Sequence, residues 1–332
     1  MRTVAVTNLK GGVGKTTTTV NVGAGLALKG LRVLLVDVDA QGNLATALGV
    51  LPQRTLYEVL VDGKAVAQCL VTARPNLDLL AADATLMNAQ PLMTQRPDWA
   101  YLLGRALKTV ASQYDVALID CSASLSVMNM GALLAAQDVL VPTAVEHLAL
   151  RGIELLQEQL ARVGSGTIRC IVPTMFDSRQ RQAHELLLQL QGRYAGLVTE
   201  PIRVNVRLSE ASAQGRTIYE HDPRSRGALD YAQLVEHVST LLGLQPTVAA
   251  PAATPNAGLA DPAPQRPRKY IPDSEPAAAK PAAETPLFHG TTHEPCPGCR
   301  QPLQQAVMAG YRIRYCDHCH YKRQELVQGV RR

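Results

Sequence analysis

The sequence predicts a doubly wound α/β domain with a mostly parallel sheet over residues 1–245, followed by a linker and a small cysteine-containing tail. Two observations predict this fold. Short runs rich in Val, Ile and Leu alternate with longer segments of helical periodicity. The short runs are apolar at nearly every position, as strands covered by helices on both faces are. In such a sheet, ligands bind at the carboxyl ends of the strands.

The strands and helices follow from these alternating patterns in chain order. The predicted strands are residues 3–8, 32–39, 77–80, 116–120, 138–143, 169–174 and, more weakly, 197–203. The main predicted helices are residues 16–29, 99–113, 125–136, 147–163, 182–194 and 227–243. Together they form the alternation of strand and helix that is typical of parallel sheets.

Composition excludes extracellular and membrane-spanning classes. Hydrophobic residues make up 46% of the chain and charged residues 18%, yet no uninterrupted apolar run reaches the ~18 residues of a membrane-spanning helix. The N-terminus lacks the basic and apolar regions of a secretory signal. Three cysteines, Cys69, Cys121 and Cys170, lie singly in apolar stretches, as reduced core cysteines do. We expect a cytoplasmic protein.

Residues 246–290 differ sharply from the rest in composition. Ten are Pro and twelve are Ala, and only two are aromatic. Such a stretch cannot bury enough apolar surface to offset its ordering entropy, and its prolines favour an extended chain. We therefore predict a disordered linker here.

A glycine-rich segment at residues 10–17 follows the first predicted strand and opens the first helix. Glycines allow successive backbone N–H groups to converge on phosphate oxygens, and the helix N-terminus adds further donors. Lys15 supplies a point charge for the terminal phosphates, and the Thr16 hydroxyl can bind Mg²⁺. The segment therefore predicts a nucleotide-binding P-loop, with the ligands listed next. The cofactor-binding residues predicted within this segment are Gly11, Gly12, Val13, Gly14, Lys15, Thr16 and Thr17.

A second lysine, Lys10, precedes these glycines, and the segment resembles the deviant Walker A motif of the ParA/MinD group of ATPases. Six further segments strengthen the resemblance, at residues 37–43, 114–121, 149–152, 174–179, 205–211 and 222–227. Residues 1–245 are thus similar to the short chromosomal ParA, or Soj-type, partition ATPases. The resemblance implies a P-loop NTPase fold, slow Mg²⁺-dependent ATP hydrolysis stimulated by a ParB-like or other partner, and an ATP-bound homodimer.

The resemblance also implies individual roles. Lys10 would reach the phosphates of the partner subunit, and Lys15 would hold those of its own. Asp39 would orient the attacking water, so Lys10, Lys15 and Asp39 are the predicted catalytic residues. Asp120 would hold Mg²⁺ through water, with Asp37 supporting that water shell, as suits an ion that retains several waters. The alternative for Asp37 and Asp39 is a purely local capping or turn role.

The chain departs from the family pattern at two places. Ala40 stands where the family usually has proline, and Ser122 and Ala123 replace the usual pair of prolines after the predicted strand 116–120, which corresponds to the Walker B strand of the family. Because proline fixes φ, we expect both nucleotide-sensing loops to be more mobile here.

Soj-type dimers bind duplex DNA without sequence preference, and this chain offers arginines for such contacts. The candidates are Arg203, Arg207, Arg216, Arg224 and Arg226. Arginine forks suit phosphate oxygens. The alternative is a solvated face in which these arginines pair with neighbouring acidic side chains. DNA binding would place the protein at the nucleoid.

The last 37 residues carry the whole net charge of +5, with seven Lys or Arg against two acidic residues. The tail, residues 291–332, also holds two C-x-x-C pairs sixteen residues apart. Their four cysteines are Cys296, Cys299, Cys316 and Cys319. This spacing predicts a zinc ribbon with structural Zn²⁺. The role of the tail stays open between a second weak DNA contact and an acidic protein partner.

Two functional hypotheses follow. The first is an ATP-dependent dimerisation switch that binds DNA non-specifically and partitions or positions DNA or another large cargo. The second is a nucleotide-regulated adaptor whose zinc-ribbon tail docks a protein partner. Membrane cycling of the MinD kind is disfavoured, because the region after residue 243 lacks an amphipathic helix.

Overall fold

We analysed a computed structural model that describes residues 1–124, 126–146, 149–245, 289–297, 299–308, 311–316 and 322–326. The chain forms two compact units, residues 1–254 and 255–332. Most of the predicted linker, residues 246–288, lies outside the described residues. The predicted division of the chain into residues 1–245, 246–290 and 291–332 therefore stays a prediction.

The first unit contains a seven-stranded sheet with the strand order β3-β4-β2-β5-β1-β6-β7. All neighbouring pairs are parallel except β3 and β4. The strands are β1 (Arg2–Val6), β2 (Val33–Asp37), β3 (Leu70–Arg74), β4 (Leu77–Leu80), β5 (Val116–Asp120), β6 (Asp138–Ala144) and β7 (Thr167–Thr174). The predicted doubly wound, mostly parallel sheet is confirmed.

Helices cover both faces of this sheet. They are α1 (Lys15–Leu28), α2 (Asn43–Leu48), α3 (Leu56–Leu60), α4 (Leu86–Thr94), α5 (Leu102–Lys108), α6 (Val127–Ala135), α7 (Ala149–Val163), α8 (Arg181–Arg193), α9 (Val206–Ala213), α10 (Ile218–His221) and α11 (Arg226–Leu241). Every residue of β2 and β5 is buried, which explains why the alternation of polar and apolar residues is missing from their sequences.

The sheet separates two large apolar clusters. Leu34 and Val36 face one cluster, whereas Val33 and Leu35 face the other, which also contains parts of α1 and α11. Gly25 allows α1 to approach α11 closely, because a Cβ at this position would lie 2.5 Å from Cγ2 of Val235. The sheet therefore lies between two apolar layers, one packed against each face.

The sheet differs from the prediction at both of its edges. Residues 197–203 form no strand and contribute only isolated bridges, Ile171 to Val198 and Phe176 to Arg203, beside the edge strand β7. The antiparallel edge strand β3 was not predicted, because its residues are mostly half-buried and lack the apolar pattern of the central strands.

The predicted helix at 99–113 is a 3₁₀ turn, Trp99–Tyr101, followed by the shorter α5. The first residue of the predicted helix 125–136, Leu125, and the first two of the predicted helix 147–163, His147 and Leu148, lie outside the described residues.

The second unit contains a four-stranded antiparallel sheet. Its strands are β8 (His289–Pro295), β9 (Pro302–Met308), β10 (Tyr311–Tyr315) and β11 (Lys322–Leu326), in the order β11-β10-β9-β8. The buried cluster of the described tail is small and consists of Cys296, Leu303 and Cys316, with Cys299 packed against it. None of the described helices in either unit is long and apolar enough to cross a bilayer.

An ion-pair cluster ties together three strands at the amino edge of the large sheet. The side chain of Asp138 is fully buried, and its Oδ1 accepts hydrogen bonds from Nη2 of Arg2 at 3.0 Å and Nε of Arg169 at 2.6 Å. Burial alone would raise the pKa of Asp138, but the bonds and charges of the two arginines outweigh it and hold that pKa below its usual range. The charged form therefore stabilises the fold.

Replacing Asp138 with alanine should lower the free energy of unfolding by about 2 kcal/mol. This is less than the cost of breaking a fully buried ion pair, because water can solvate the two partly exposed arginines that remain. Because the folded-state pKa is depressed, this contribution is present at neutral pH and is lost as the pH falls below about 4. Urea denaturation at pH 7 and at acidic pH would measure both effects. Asp98→Ala, which removes a surface partner of Arg105, is the control, and an equal loss in both variants would contradict the assignment.

Candidate functional site

The glycine-rich segment 10–17 connects β1 to α1 at the carboxyl edge of the sheet. Gly12 and Gly14 adopt left-handed conformations, with φ of 73° and 81°. Gly14 is also the residue immediately before α1. Both positions require glycine, because a Cβ disfavours this region strongly. The backbone is therefore folded as the motif predicts, with the N-terminus of a 14-residue helix behind the loop.

The two lysines of the loop are held differently. Lys15 is buried, and its Nζ donates a hydrogen bond to the carbonyl oxygen of Lys10 at 2.9 Å. Burial lowers the pKa of Lys15, although the nearby Asp120 opposes that shift. The ammonium of Lys10 is partly exposed and forms an ion pair with Glu146. Lys15 thus belongs to the interior of the loop, whereas Lys10 is within reach of solvent.

Two carboxyl groups lie side by side at the ends of neighbouring strands. Asp37 and Asp120 are direct register partners in β2 and β5, and both are buried. Asp120 accepts hydrogen bonds from Oγ1 of Thr16 at 2.8 Å and Oγ1 of Thr19 at 3.0 Å. Burial raises the pKa of Asp120 to about 7 against the effect of these bonds and of Lys15. Burial and the charge of Asp120 raise the pKa of Asp37 as well.

This donor set suits Mg²⁺. Hard divalent cations take carboxylate, hydroxyl and water oxygens, and the pair formed by Asp37 and Asp120 carries negative charge that burial makes costly. A cation beside Thr16 and Asp120 would relieve that cost, as a bound ion often dominates the local electrostatics. Thr16 and Asp120 could thus hold the metal of a Mg–nucleotide, and the loop N–H groups its phosphates.

Asp37 and Asp39 also have local structural roles. Asp37 accepts hydrogen bonds from the backbone N–H of Asp39 at 2.9 Å and of Leu44 at 3.1 Å. Asp39 accepts one from the N–H of Gln41 at 3.0 Å. The turn interpretation therefore applies to both residues. Asp39 is only half-buried, so it remains available to a ligand, and its assignment to the attacking water stays a prediction.

Three residues support the loop without having been predicted as site residues. The amide of Asn8 donates to the carbonyl of Pro142 at 2.9 Å, and its Oδ1 accepts from the N–H of Lys10 at 3.1 Å. Thr174 donates to the carbonyl of Val13 at 2.9 Å. The third is Thr19, described above. It follows Thr16 by one helical turn, so the run of four threonines could have indicated it.

The loop after β5 is tied down by one buried side chain. Nδ2 of Asn129 donates to the carbonyl of Ser122 at 2.8 Å, and its Oδ1 accepts from the N–H of Ser122 at 3.1 Å. These bonds span the point where the family usually has two prolines. They restrain the loop through hydrogen bonds, whereas prolines would restrain it by fixing φ. The greater mobility of the loop stays a prediction.

The five arginines predicted to contact DNA fall into two groups. Arg203 is bound by Asp230, with Nε 3.1 Å from Oδ2, and Arg207 pairs with Glu210 at 2.8 Å. Within the described chain, Arg216, Arg224 and Arg226 are exposed and form no ion pair. The second group therefore offers free guanidinium groups, and DNA contact stays a prediction for all five.

In the tail, three of the four predicted zinc ligands lie together. The Sγ atoms of Cys296, Cys299 and Cys316 are within 4.8 Å of one another, and those of Cys299 and Cys316 are 3.4 Å apart. Cys319 lies outside the described residues. Converging thiolates are the donor set of structural Zn²⁺, so this cluster could hold that ion.

Comparison with known proteins identifies the family. The AAA domain family matches residues 1–169. The Soj sporulation initiation inhibitor of Bacillus subtilis is 37% identical over 246 residues, which are 71% of this chain and 97% of that protein. The chromosome-partitioning protein ParA of Caulobacter vibrioides is 37% identical over 250 residues, 72% of this chain and 94% of its own.

This chain belongs to the Soj/ParA family of partitioning ATPases. It is accordingly an ATPase, as the motifs predict. A solved structure agrees: the cobyrinic acid a,c-diamide synthase of Mycobacterium smegmatis, with a bound ATP analogue and magnesium, is 32% identical. It has a TM-score of 0.64 and covers 74% of this chain and 96% of its own. The match to the Bacillus Soj leaves part of this chain without a counterpart.

Proposed function

We propose that this Soj/ParA-family ATPase is a nucleotide-driven dimerisation switch that binds duplex DNA without sequence preference and positions DNA or another large cargo. The observation that carries the proposal is the different placement of the two loop lysines. Lys15 is anchored inside its own loop, while Lys10 is held only by a partly exposed ion pair with Glu146. Such surface pairs are weak, so Lys10 is available to a second subunit.

The proposed cycle uses the residues of the site in order. ATP with Mg²⁺ binds at the loop, where Lys15, Thr16 and the N–H groups hold phosphate and metal. Lys10 then contacts the nucleotide of the partner subunit and closes the homodimer. Asp39 positions the attacking water, and a ParB-like or other partner stimulates hydrolysis. Hydrolysis returns the chain to the monomer.

DNA contact is proposed to follow dimerisation. Arg216, Arg224 and Arg226 are exposed and unpaired within the described residues, and arginine suits phosphate oxygens. Two copies of this surface in one dimer double the number of phosphate contacts, which strengthens non-specific binding steeply. We propose accordingly that the protein is cytoplasmic and associates with the nucleoid.

The Asp39→Ala protein should be retained on duplex DNA with ATP and released with ADP, at a fixed moderate salt concentration. Loss of the water-positioning carboxylate traps the ATP state, and fixed salt is needed because phosphate contacts weaken steeply as salt rises. Filter or biosensor retention measures the difference. Replacing Arg224 and Arg226 with alanine in this background should lower the salt dependence by about one unit of slope per arginine.

Arg181→Ala is the matched control, since Arg181 is exposed and lies on α8. Equal retention with both nucleotides would contradict a DNA-based switch. Deleting residues 246–332 distinguishes this switch from the adaptor hypothesis, in which the zinc-ribbon tail docks a protein partner. A partition switch keeps its nucleotide-dependent duplex binding after the deletion, whereas an adaptor loses its protein partner.

A further inference from the structure

The segment between α9 and α10, residues 214–217, lies between the proposed DNA-binding surface and the nucleotide site. We call it the α9–α10 connector. It contains Arg216, one of the exposed arginines without an ion pair among the described residues. Two helices of the nucleotide site pack beside it, α2 against α9 and α1 against α10. A movement of either helix would therefore reach Arg216.

The first link to the connector comes from the P-loop helix α1. The side chain of Asn21 is buried, and its Nδ2 donates a hydrogen bond to the carbonyl oxygen of Thr17 at 2.9 Å. Its Oδ1 accepts one from the backbone N–H of Ile218, the first residue of α10, at 2.9 Å. Because a buried amide that is bonded at both ends keeps its orientation, this side chain ties the P-loop segment to the start of α10.

The second link runs along α2. Near its start, the backbone N–H of Leu44 donates to Oδ2 of Asp37 at 3.1 Å. Just beyond its end, Gly49 adopts a left-handed conformation, as does Gly215 of the connector, with φ of 66° and 65°. Their backbones lie so close that a Cβ at Gly215 would be 2.5 Å from Cα of Gly49. This short helix thus contacts Asp37 at one end and the connector at the other.

Arg74, the last residue of β3, holds this second contact together. Its Nη1 donates to the carbonyl oxygen of Leu48 at 3.2 Å, and its Nη2 donates to that of Gly215 at 3.0 Å. The same guanidinium binds both carboxylate oxygens of Glu220, at 2.5 and 3.1 Å. Oε2 of Glu220 also accepts from the N–H of Thr217 at 2.8 Å. A forked, charge-assisted set of bonds therefore joins the end of α2, the connector and the first turn of α10.

We propose that Arg74 is a positioning residue that, together with Asn21, couples the nucleotide at the P-loop to the position of Arg216 through the α9–α10 connector. The inference rests on the nucleotide-dependent duplex binding proposed above and names the residues that regulate it. The loops that precede α1 and α2 contain the proposed phosphate ligands and Asp39, so ATP and ADP hold these helices differently. The connector follows the helices, and Arg216 meets duplex phosphates in one of the two arrangements.

The test compares retention of the Asp39→Ala protein on duplex DNA, with and without Arg74→Ala, in ATP and in ADP at fixed salt. The parent should bind more tightly in ATP. Adding Arg74→Ala should reduce the ratio of the two affinities at least about fivefold, the lower end of ordinary coupling between sites. Gly215→Ala should act in the same way, because its Cβ would displace Gly49. None of the hydrogen bonds described for Arg74 reaches residues 10–17, so Arg74→Ala alone should hydrolyse ATP at nearly the native basal rate.

Arg32→Ala in the same background is the matched control. Arg32 also donates to a carbonyl oxygen, that of Ser112 at 3.1 Å, and to a carboxylate, that of Asp115 at 2.7 Å, but at the amino edge of the sheet. This variant should keep the full ratio. A folded Arg74→Ala variant that also keeps the full ratio would overturn the inference and leave the switch intact. A parent that binds equally in ATP and ADP would instead contradict the proposed function, and this inference with it.

Hydrogen exchange of the native chain gives a readout that needs neither DNA nor a variant. The backbone N–H of Arg216 donates to the carbonyl of Ala211 at 2.9 Å, and that of Ile218 donates to Asn21. Exchange at these two amides should differ between ADP and a non-hydrolysable ATP analogue, and Arg74→Ala should reduce the difference. Equal exchange with both nucleotides in the native chain would overturn coupling through the connector, even where duplex binding still depends on ATP.

Discussion

Lys15→Ala should lower the rate of ATP hydrolysis by at least about 100-fold, the order of effect seen when one preorganised electrostatic group is removed from an active site. Lys15 is the buried cation of the loop, and its Nζ already points into it, 2.9 Å from the carbonyl oxygen of Lys10. Without it, the terminal phosphates lose their point charge, and the buried Asp120 loses a compensating partner. Phosphate release and binding of a fluorescent ATP analogue measure the two consequences.

The control for this prediction is Lys29→Ala, which removes a lysine from the end of the same helix where it pairs with Glu236 at 2.5 Å. That variant should hydrolyse ATP at the native rate. Circular dichroism separates loss of function from loss of fold. A folded Lys15→Ala protein with hydrolysis within a few-fold of native would show that the loop does not hold phosphate as we describe.

Much of the fold followed from sequence because central parallel strands are buried on both faces. β2 and β5 are continuous apolar runs that end in Asp37 and Asp120, and the strands and their carboxylates were predicted together. The edges were harder. β3 is half-exposed and antiparallel, so its pattern is that of a loop. The segment 197–203 is apolar enough for a strand but contributes only isolated bridges at the sheet edge.

The site was predictable where one segment carries the chemistry and unpredictable where contacts span the chain. The spacing of the glycines, Lys15 and Thr16 within residues 10–17 is enough to predict a P-loop. No local pattern indicates that Glu146 lies beside Lys10, or that Thr174 caps the carbonyl of Val13. Such contacts depend on strand order, which places β6 next to β1 and β7 next to β6, although these strands are far apart in the sequence.

The short helices show a related limit. α2, α3 and α10 are four to six residues long, too short to display a helical period. Capping boxes at Thr55 and Thr217 stabilise two of them locally. These motifs were visible in the sequence as threonine followed three residues later by glutamate, a recognised helix-start signal.

The second large effect concerns Lys10 and the oligomeric state. Asp39→Ala should be a dimer with Mg–ATP, of twice the 35.7 kDa monomer mass, and a monomer with Mg–ADP. Adding Lys10→Ala should leave ATP binding intact but keep the protein monomeric. The reason is the position of the Lys10 ammonium. Among the described residues it pairs only with the partly exposed Glu146, so it is available to bind the nucleotide of the partner subunit.

Sedimentation of these two variants with each nucleotide tests the central claim most directly, because it asks whether ATP alone joins two chains through Lys10. Arg151→Ala in the Asp39→Ala background is a control, since Arg151 also forms a surface ion pair, with Glu154. We predict dimers for Asp39→Ala and for the control with ATP, and monomers for the Lys10 variant. ATP-bound monomers of Asp39→Ala, or dimers that persist without Lys10, would contradict the switch.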